Sequence, residues 1–399
     1  MSAKVRKTAT KLADGRDLFY FDDSPEYVSG EKTRRLDDPR PLKDRFAPII
    51  DEDGNEKPVT GPWMRLDPLT GDWVVMASHR MNRTHLPPAD ANPLAPARPG
   101  AAYQDGEIPA TDYDVVVFEN RFPSLMVVPG EEREVIDLDG EQVWKTAPAA
   151  GRCEVICFGP KLEEHLVAMG PGRMRTIIEA WADRTEALEQ MEGIKQVYCF
   201  ENHGEAIGVS LHHPHGQIYA YPYITPRTAA MLRQARKYRE ETGGNLLADI
   251  LAAELRSGRR VIDETEHWAL YVPAAARWPV EMHLVPKRDV KAIYELNDAE
   301  REDLSHIYLK MLAAGNKFFE TEDEEGSKVP LDLPYVMSWH QAPVGEERED
   351  LRLHMQLHSV QRAPNKLKYL GGSESGMGAW ISDTTPEKIA DRLREVYGK

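Results

Sequence analysis

The second half of this 399-residue chain repeats the order of the first, and that repetition limits the fold more than any single motif. In the first half, DVVVFENRF and RCEVICF are apolar β-type runs. Arg173 to Met191 carries helical spacing through Ile177, Ile178, Trp181 and Leu188. KQVYCFENHGEAIGVS and HGQIYAYPYITP follow as two strands joined by a glycine-rich turn. In the second half, HWALYVPAAARWPVEMHLVPKRD stands where VVVFENRFPSL and EVICFGPKLEEH stood. Asn297 caps a helix to about Phe319, and YVMSWHQAP and LRLHMQLHSV take the places of VYCFENHG and HPHGQIYA. The spacing predicts an α+β chain of two tandem, diverged units, each an antiparallel sheet with packed helices, over residues 63–228 and 229–399.

Residues 1–62 read as a polar, irregular N-terminal extension, with a hairpin entry turning at Asp14-Gly15. WMRLDPLTGDWVVMASHR reads as two strands around Thr70-Gly71, and the Pro- and Ala-rich stretch from Leu86 to Gly106 as a loop. Pro226 opens a helical segment to about Ser257, broken near Gly243-Gly244.

A formal net charge of −16 argues against nucleic-acid polymers, which are held mainly through Lys and Arg; a small phosphorylated ligand needs only a few local arginines. No apolar run approaches the roughly 20 residues of a membrane span, and Met1 to Lys11 has no apolar stretch behind it to make a secretory signal. Cys153, Cys157 and Cys199 lie in apolar strand contexts, which predicts buried free thiols and a reducing cytoplasm.

The chemistry concentrates in Ser210-Leu211-His212-His213-Pro214-His215-Gly216-Gln217. Along a strand, residues two apart share a face, so His213, His215 and Gln217 are expected to point the same way. Histidine is near neutral at physiological pH and serves as nucleophile and proton carrier. A buried structural histidine explains poorly three in four positions beside Pro and Gly. A zinc site through His213 and His215 lacks obvious further ligands. Covalent phosphoryl chemistry is the remaining reading.

FENHGEAIGVSLHHPHGQIYAYP resembles the active-site segment of galactose-1-phosphate uridylyltransferases, in the transferase branch of the histidine triad superfamily. RLDPLTGDWVVMASHRMNR, VFENRFPSL, ETEHWALYVPAAARWPVEMHLVPKR, SWHQAP and KYLGGSESGMGAWISDTTPE resemble further blocks of that family in order, over roughly residues 60 to 399. The resemblance implies two histidine-triad-like units, the second degenerate, and ping-pong transfer of UMP from UDP-glucose to galactose 1-phosphate through a uridylyl-histidine. It implies His215 as nucleophile, His213 as its orienter through the backbone carbonyl, and Gln217 and Ser210 on the phosphoryl oxygens. Arg80, Arg83 and Asn202 would contact phosphates, Asn120 and Phe122 the nucleoside, and Lys368 and Glu374 the sugar. A homodimer completing the active site is implied as well.

Gln217 favours transfer over hydrolysis, because an amide cannot take a proton from water near neutral pH. Guanidinium forks at Arg80 and Arg83 suit diphosphate oxygens. An adenylyl transferase or phosphorylase acting on ADP-glucose or a dinucleoside polyphosphate shares the pattern and is the alternative; a catalytically dead binding protein and a metal-dependent hydrolase are the others. Typical members of the family hold a structural zinc through a Cys-x-x-Cys pair, a later residue and the first His of HPH. Here Asn92 and Ala95 occupy the cysteine spacing and Lys161-Leu162 follows CFGP, so no metal cofactor is expected. The first loop would be stiffened by Pro93, Leu94 and Pro96. His165 or His85 remains as a replacement ligand. At a second metal position His340 and His354 are present, with Met231 and Gln356 where stronger ligands would stand.

Overall fold

The computed structural model describes residues 5–50, 53–77, 92–97, 106–162, 164–209, 211–322 and 326–398. The elements that position the site are, in chain order, β1 (Arg6–Lys11), β2 (Asp17–Asp22), β3 (Trp63–Leu66), β4 (Trp73–Met76), β5 (Val115–Glu119), β6 (Ile136–Leu138), β7 (Glu141–Pro148) and β8 (Arg152–Cys157). Helix α1 (Leu166–Glu189), β9 (Gln196–His203), β10 (His215–Tyr221), α2 (Pro226–Thr242) and α3 (Leu246–Ser257) follow. The second half contains β11 (Val261–Glu264), β12 (Trp268–Tyr271), β13 (Val280–Pro286), α4 (Asp298–Asn316), β14 (Tyr335–His340), β15 (His354–Ser359) and α5 (Pro386–Tyr397).

Eleven strands make one sheet in the order β1-β2-β5-β8-β10-β9-β14-β15-β13-β12-β11, with every neighbouring pair antiparallel. From its middle the sheet reads alike in both directions: β9, β10, β8, β5 one way and β14, β15, β13, β12 the other. Each unit's strands join the other's edge to edge, Cys199 opposite Trp339 and Phe200 opposite Ser338. The N-terminal stretch is less irregular than its composition suggests. β1 and β2 form a hairpin turning at Asp14-Gly15, with Gly15 at φ +88°, and β2 pairs with β5 to extend the sheet. A second sheet, β4-β3-β7-β6, stands apart.

One face of the large sheet is covered by α1 and α4. Ile177, Ile178, Trp181 and Leu188 are all fully buried, so the helical spacing read from the sequence is the packed stripe. α1 breaks at Gly170, whose φ of +78° no helix tolerates, and restarts at Pro171, which has no N–H to lose at a first turn. α4 starts in a capping box: the Asn297 side chain accepts from the Glu300 N–H, and the Glu300 carboxylate accepts from the Asn297 N–H. Between helices and sheet, Trp339 makes edge contacts with Trp181 and Trp268 at centroid distances of 6.1 and 6.2 Å. Burying one large side chain contributes about 1.5–3 kcal/mol against about 1 kcal/mol for a cap, so this layer, not local helix signals, holds the halves together.

The strand register places His215 and Gln217 of β10, Tyr198, Phe200 and Asn202 of β9, Ser338 and His340 of β14, and His354 and Gln356 of β15 on the opposite face. The three cysteines are buried free thiols. Among the described residues no helix is long and apolar enough to cross a membrane.

Candidate active site

β10 lies between β8 and β9, and its second residue has to be glycine. A Cβ on Gly216 would sit 2.9 Å from the Phe200 carbonyl oxygen, 3.1 Å from the Phe158 ring and 3.2 Å from Ile156. The close approach fixes His215, the first residue of β10, opposite Cys157 of β8. His215 lines a cavity of about 350 Å³ together with Asn202, His203 and His213. Its Nδ1 lies 2.7 Å from the His213 carbonyl oxygen. That acceptor requires the proton on Nδ1, so Nε2 carries the in-plane lone pair. The geometry prepares a nucleophile by fixing one tautomer.

The His213 ring does not share the solvent-facing side with His215 and Gln217, as strand alternation had suggested. It precedes β10 and is buried, 1% exposed. The Asn92 amide nitrogen lies 2.9 Å from its Nδ1, and the Gly159 carbonyl and Tyr113 hydroxyl each lie 2.8 Å from its Nε2. An amide N–H donating to Nδ1 leaves the proton on Nε2, where the Gly159 carbonyl accepts it. The Asn92 side-chain oxygen accepts from the Leu94 N–H at 3.1 Å, and the Tyr113 hydroxyl donates to the Leu94 carbonyl at 2.9 Å. Leu94 itself is buried among Tyr113, Val116 and Cys157. Burial, against an upward push from the Gly159 carbonyl, lowers His213 to about 4, so the ring is neutral at pH 7, as this network requires.

Gln217 is half-buried on the same face as His215, and its carbonyl accepts from the Tyr219 hydroxyl at 3.1 Å. Asn202 lines the His215 cavity. Asn120 closes a turn, its side-chain oxygen accepting from the Phe122 N–H at 2.9 Å, and the Phe122 ring is exposed. Lys368 and Glu374 pair with each other at 3.6 Å, and the Lys368 ammonium also donates to the Ile381 carbonyl. Neither lines the His215 cavity. Arg80, Arg83, Ser210 and His85 lie outside the described residues.

The zinc implied by the family resemblance does not fit here. Asn92 is an amide, Ala95 has no donor atom in its side chain, and both ring nitrogens of His213 are engaged. The second position is also filled from within. His340 stacks on His354 with centroids 4.8 Å apart, and the Gln356 carbonyl accepts from the Arg227 guanidinium at 2.7 Å while its amide donates to Glu281 at 2.7 Å. Met231 packs instead with Leu232 and Leu351. Burial, neighbouring His283 and the Arg227 charge, against an upward push from the Arg352 carbonyl, hold His354 down at about 3. A fixed guanidinium thus occupies the electrostatic role a cation would have in that cluster.

Sequence reasoning did not find Tyr113, Gly159, His203 or Asp332 at the site. The Asp-Tyr-Asp preceding β5 is the one local signal for Tyr113; the others are brought in by tertiary pairing.

The chain matches two family descriptions in succession: "Galactose-1-phosphate uridyl transferase, N-terminal domain" over residues 55–225, and the C-terminal domain of the same family over residues 231–398. It is 38% identical to a galactose-1-phosphate uridylyltransferase of Streptomyces lividans, over 98% of each chain. A solved structure titled "Structure of uridylyltransferase" superposes with a TM-score of 0.72 at 30% identity, covering 84% of this chain and 98% of that one. An ADP-glucose phosphorylase from Arabidopsis thaliana with bound ADP-glucose follows at a TM-score of 0.59 and 25% identity, covering 84% of this chain and 99% of that one. On both family matches and the 38% identity over nearly the whole chain, this protein belongs to the galactose-1-phosphate uridylyltransferase family of nucleotidyltransferases.

Proposed function

We propose that this enzyme moves UMP from UDP-glucose to galactose 1-phosphate by two displacements at His215. Nε2 of the neutral imidazole attacks the α-phosphorus of UDP-glucose, a P–N bond forms, the bond to the bridging oxygen breaks, and glucose 1-phosphate leaves with that electron pair. A phosphate oxygen of galactose 1-phosphate then attacks the same phosphorus, the P–N bond breaks, and UDP-galactose departs. The proton stays on Nδ1 throughout, donated to the His213 carbonyl oxygen, which stabilises the charge that develops on the ring. The observation that carries the reading is this 2.7 Å hydrogen bond, which leaves Nε2 as the nucleophilic nitrogen in a cavity of ligand size.

Gln217, Ser210, Asn202, Arg80 and Arg83 are assigned to the phosphates, Asn120 and Phe122 to the nucleoside, and Lys368 and Glu374 to the sugar. The leaving group is already a weakly basic phosphate, so no metal enters the chemistry; the engaged ring of His213 and the Arg227-filled cluster support a reaction that survives chelation. The equal strand order on either side of β9 and β14 supports two diverged copies of one unit.

We assign a homodimer for two reasons. Lys368 and Glu374 sit away from the His215 cavity of their own chain. The free face of the β4-β3-β7-β6 sheet exposes Val74, Met76, Ile136 and Trp144, all in register on one side. Three buried free thiols suit a reducing cytoplasm.

The test is intact-mass analysis after mixing with UDP-glucose alone. One uridylyl adduct per chain is expected, removed by galactose 1-phosphate and absent in His215→Ala. Substantial turnover in that variant, or adduct formation from ADP-glucose in preference to UDP-glucose, overturns the reading.

A further inference from the structure

The loop ahead of α1, the end of β9 and the loop leading into β14 meet on one wall of the His215 cavity, and each delivers a metal-ligating side chain there. His203 Nε2 lies 3.0 and 3.2 Å from the two oxygens of Asp332. His165 Nδ1 lies 4.0 Å from the nearer Asp332 oxygen, and one ligand atom from each of the three residues falls within 4.8 Å of the others. A tetrahedral ion with bonds of roughly 2.0–2.2 Å needs its donors roughly 3.4 Å apart, so the three are close to a binding arrangement before any ion arrives. The remaining adjustment falls on His165, whose side chain is 54% exposed and able to swing.

His203 is hydrogen-bonded to Asp332, and His165 faces the same carboxylate from beyond hydrogen-bond distance. The two imidazoles approach edge to face with centroids 5.7 Å apart, so both rings reach the same carboxylate from neighbouring segments. A second observation points to the same place. Glu201 is 3% exposed and lines the same cavity; its Oε1 accepts from the Tyr335 hydroxyl at 2.9 Å, while its Oε2 is buried without a hydrogen-bond partner. A buried carboxylate oxygen left unpaired is costly unless positive charge or a donor stands near it. A cation on the adjacent histidines, with a water in its remaining position, supplies both.

We propose that His165, His203 and Asp332 bind one divalent transition-metal ion of the zinc class, with Glu201 as an outer acceptor for its bound water. Two imidazoles and one carboxylate are a donor set for zinc, cobalt or iron(II), not for calcium or magnesium. The site shares no ligand with His213, and it joins three segments that are otherwise far apart in sequence. It lies outside the bond-making steps, so it does not rest on the transfer reaction and is read out by metal occupancy.

The test uses the full chain, stripped by chelator and titrated with Zn2+ and, in parallel, with Co2+ followed by visible absorption. One equivalent of either ion is expected. His165→Ala, at an exposed loop position, and Asp332→Asn should each weaken binding at least tenfold without shifting the thermal midpoint of the metal-free protein. His340→Ala serves as the control for the buried histidine cluster and should bind as wild type does. No binding by the wild-type chain overturns the proposal, as does stoichiometric binding that persists in both variants or that disappears only in His340→Ala.

Discussion

Asn92 shows how one side chain replaces a bonding arrangement of a different kind. Its amide donates to His213 and its carbonyl pins the Leu94 N–H, so two polar groups near the nucleophile depend on it. Asn92→Ala leaves both without that partner inside a buried pocket. A loss of about 1–3 kcal/mol is expected, read as a lower urea midpoint, with a fall in adduct formation rate because the His213 carbonyl is no longer held in place. Tyr113→Phe, which leaves the Gly159 acceptor intact, should cost about 1 kcal/mol. At Gln217 the prediction concerns partition, not rate. Gln217→His introduces a proton acceptor on the same strand face as His215, so the adduct should hydrolyse faster in water while transfer slows. Equal adduct lifetimes in the two proteins count against that role. The place of His215 was legible in sequence: HPHGQ after a glycine turn singles it out, and it opens β10 and lines the cavity. The ring partners of His213 were not, since they come from positions 54, 100 and 121 residues away. The alternation rule failed at His213 itself because β10 begins only at His215.

At the scale of elements, β10 depends on close packing against both neighbours. Gly216→Ala forces a methyl onto the Phe200 carbonyl oxygen, which belongs to the backbone and cannot step aside. Overpacking of this kind costs about 1–3 kcal/mol, and the displaced strand should take His215 with it. Reduced stability and reduced adduct formation are expected together, measured by thermal unfolding and intact mass. Most elements of the two repeats were readable from periodicity, and Asn297 announced α4 correctly. β1 was not. Arg6–Lys11 reads RKTATK, too polar to stand out, because an edge strand needs only one modestly covered face and its lysines discourage further pairing.

The whole molecule carries several buried neutral histidines. His213 and His358 are held at about 4 and His354 at about 3, in each case chiefly by burial. Unfolding returns each to about 6.5, so the unfolded chain takes up protons first. Their contribution is intact above pH 6.5 and is lost as pH falls from there toward 4, by up to about 1.4 kcal/mol per pH unit for each ring. Glu201, pushed up to about 7 by burial, acts oppositely: its contribution grows as pH falls from 7 toward 4.5. His203, raised against its burial by Asp332, acts in the same direction as Glu201, but the four lowered rings, His213, His340, His354 and His358, outnumber these two. Unfolding free energy should therefore decline between pH 6.5 and 5, above the range where most carboxylates titrate, and Glu201→Gln should steepen that decline. A flat profile in this window would refute the assignment. On the same scale, sedimentation should find a dimer that Trp144→Glu weakens. That the two units would join into a single sheet was not visible in the sequence, because the pairing of β9 with β14 links residues about 140 positions apart and no local pattern encodes it.

That seam has a mechanical consequence. A chain severed between α2 and α3 would yield two pieces, each ending in a bare apolar strand edge whose only proper partner is the other piece. Produced alone, each fragment should be sticky and poorly folded. Produced together, they should find one another through Cys199–His203 and Tyr335–Trp339 and restore an active enzyme, with the burial of Trp339 reporting reassembly by fluorescence.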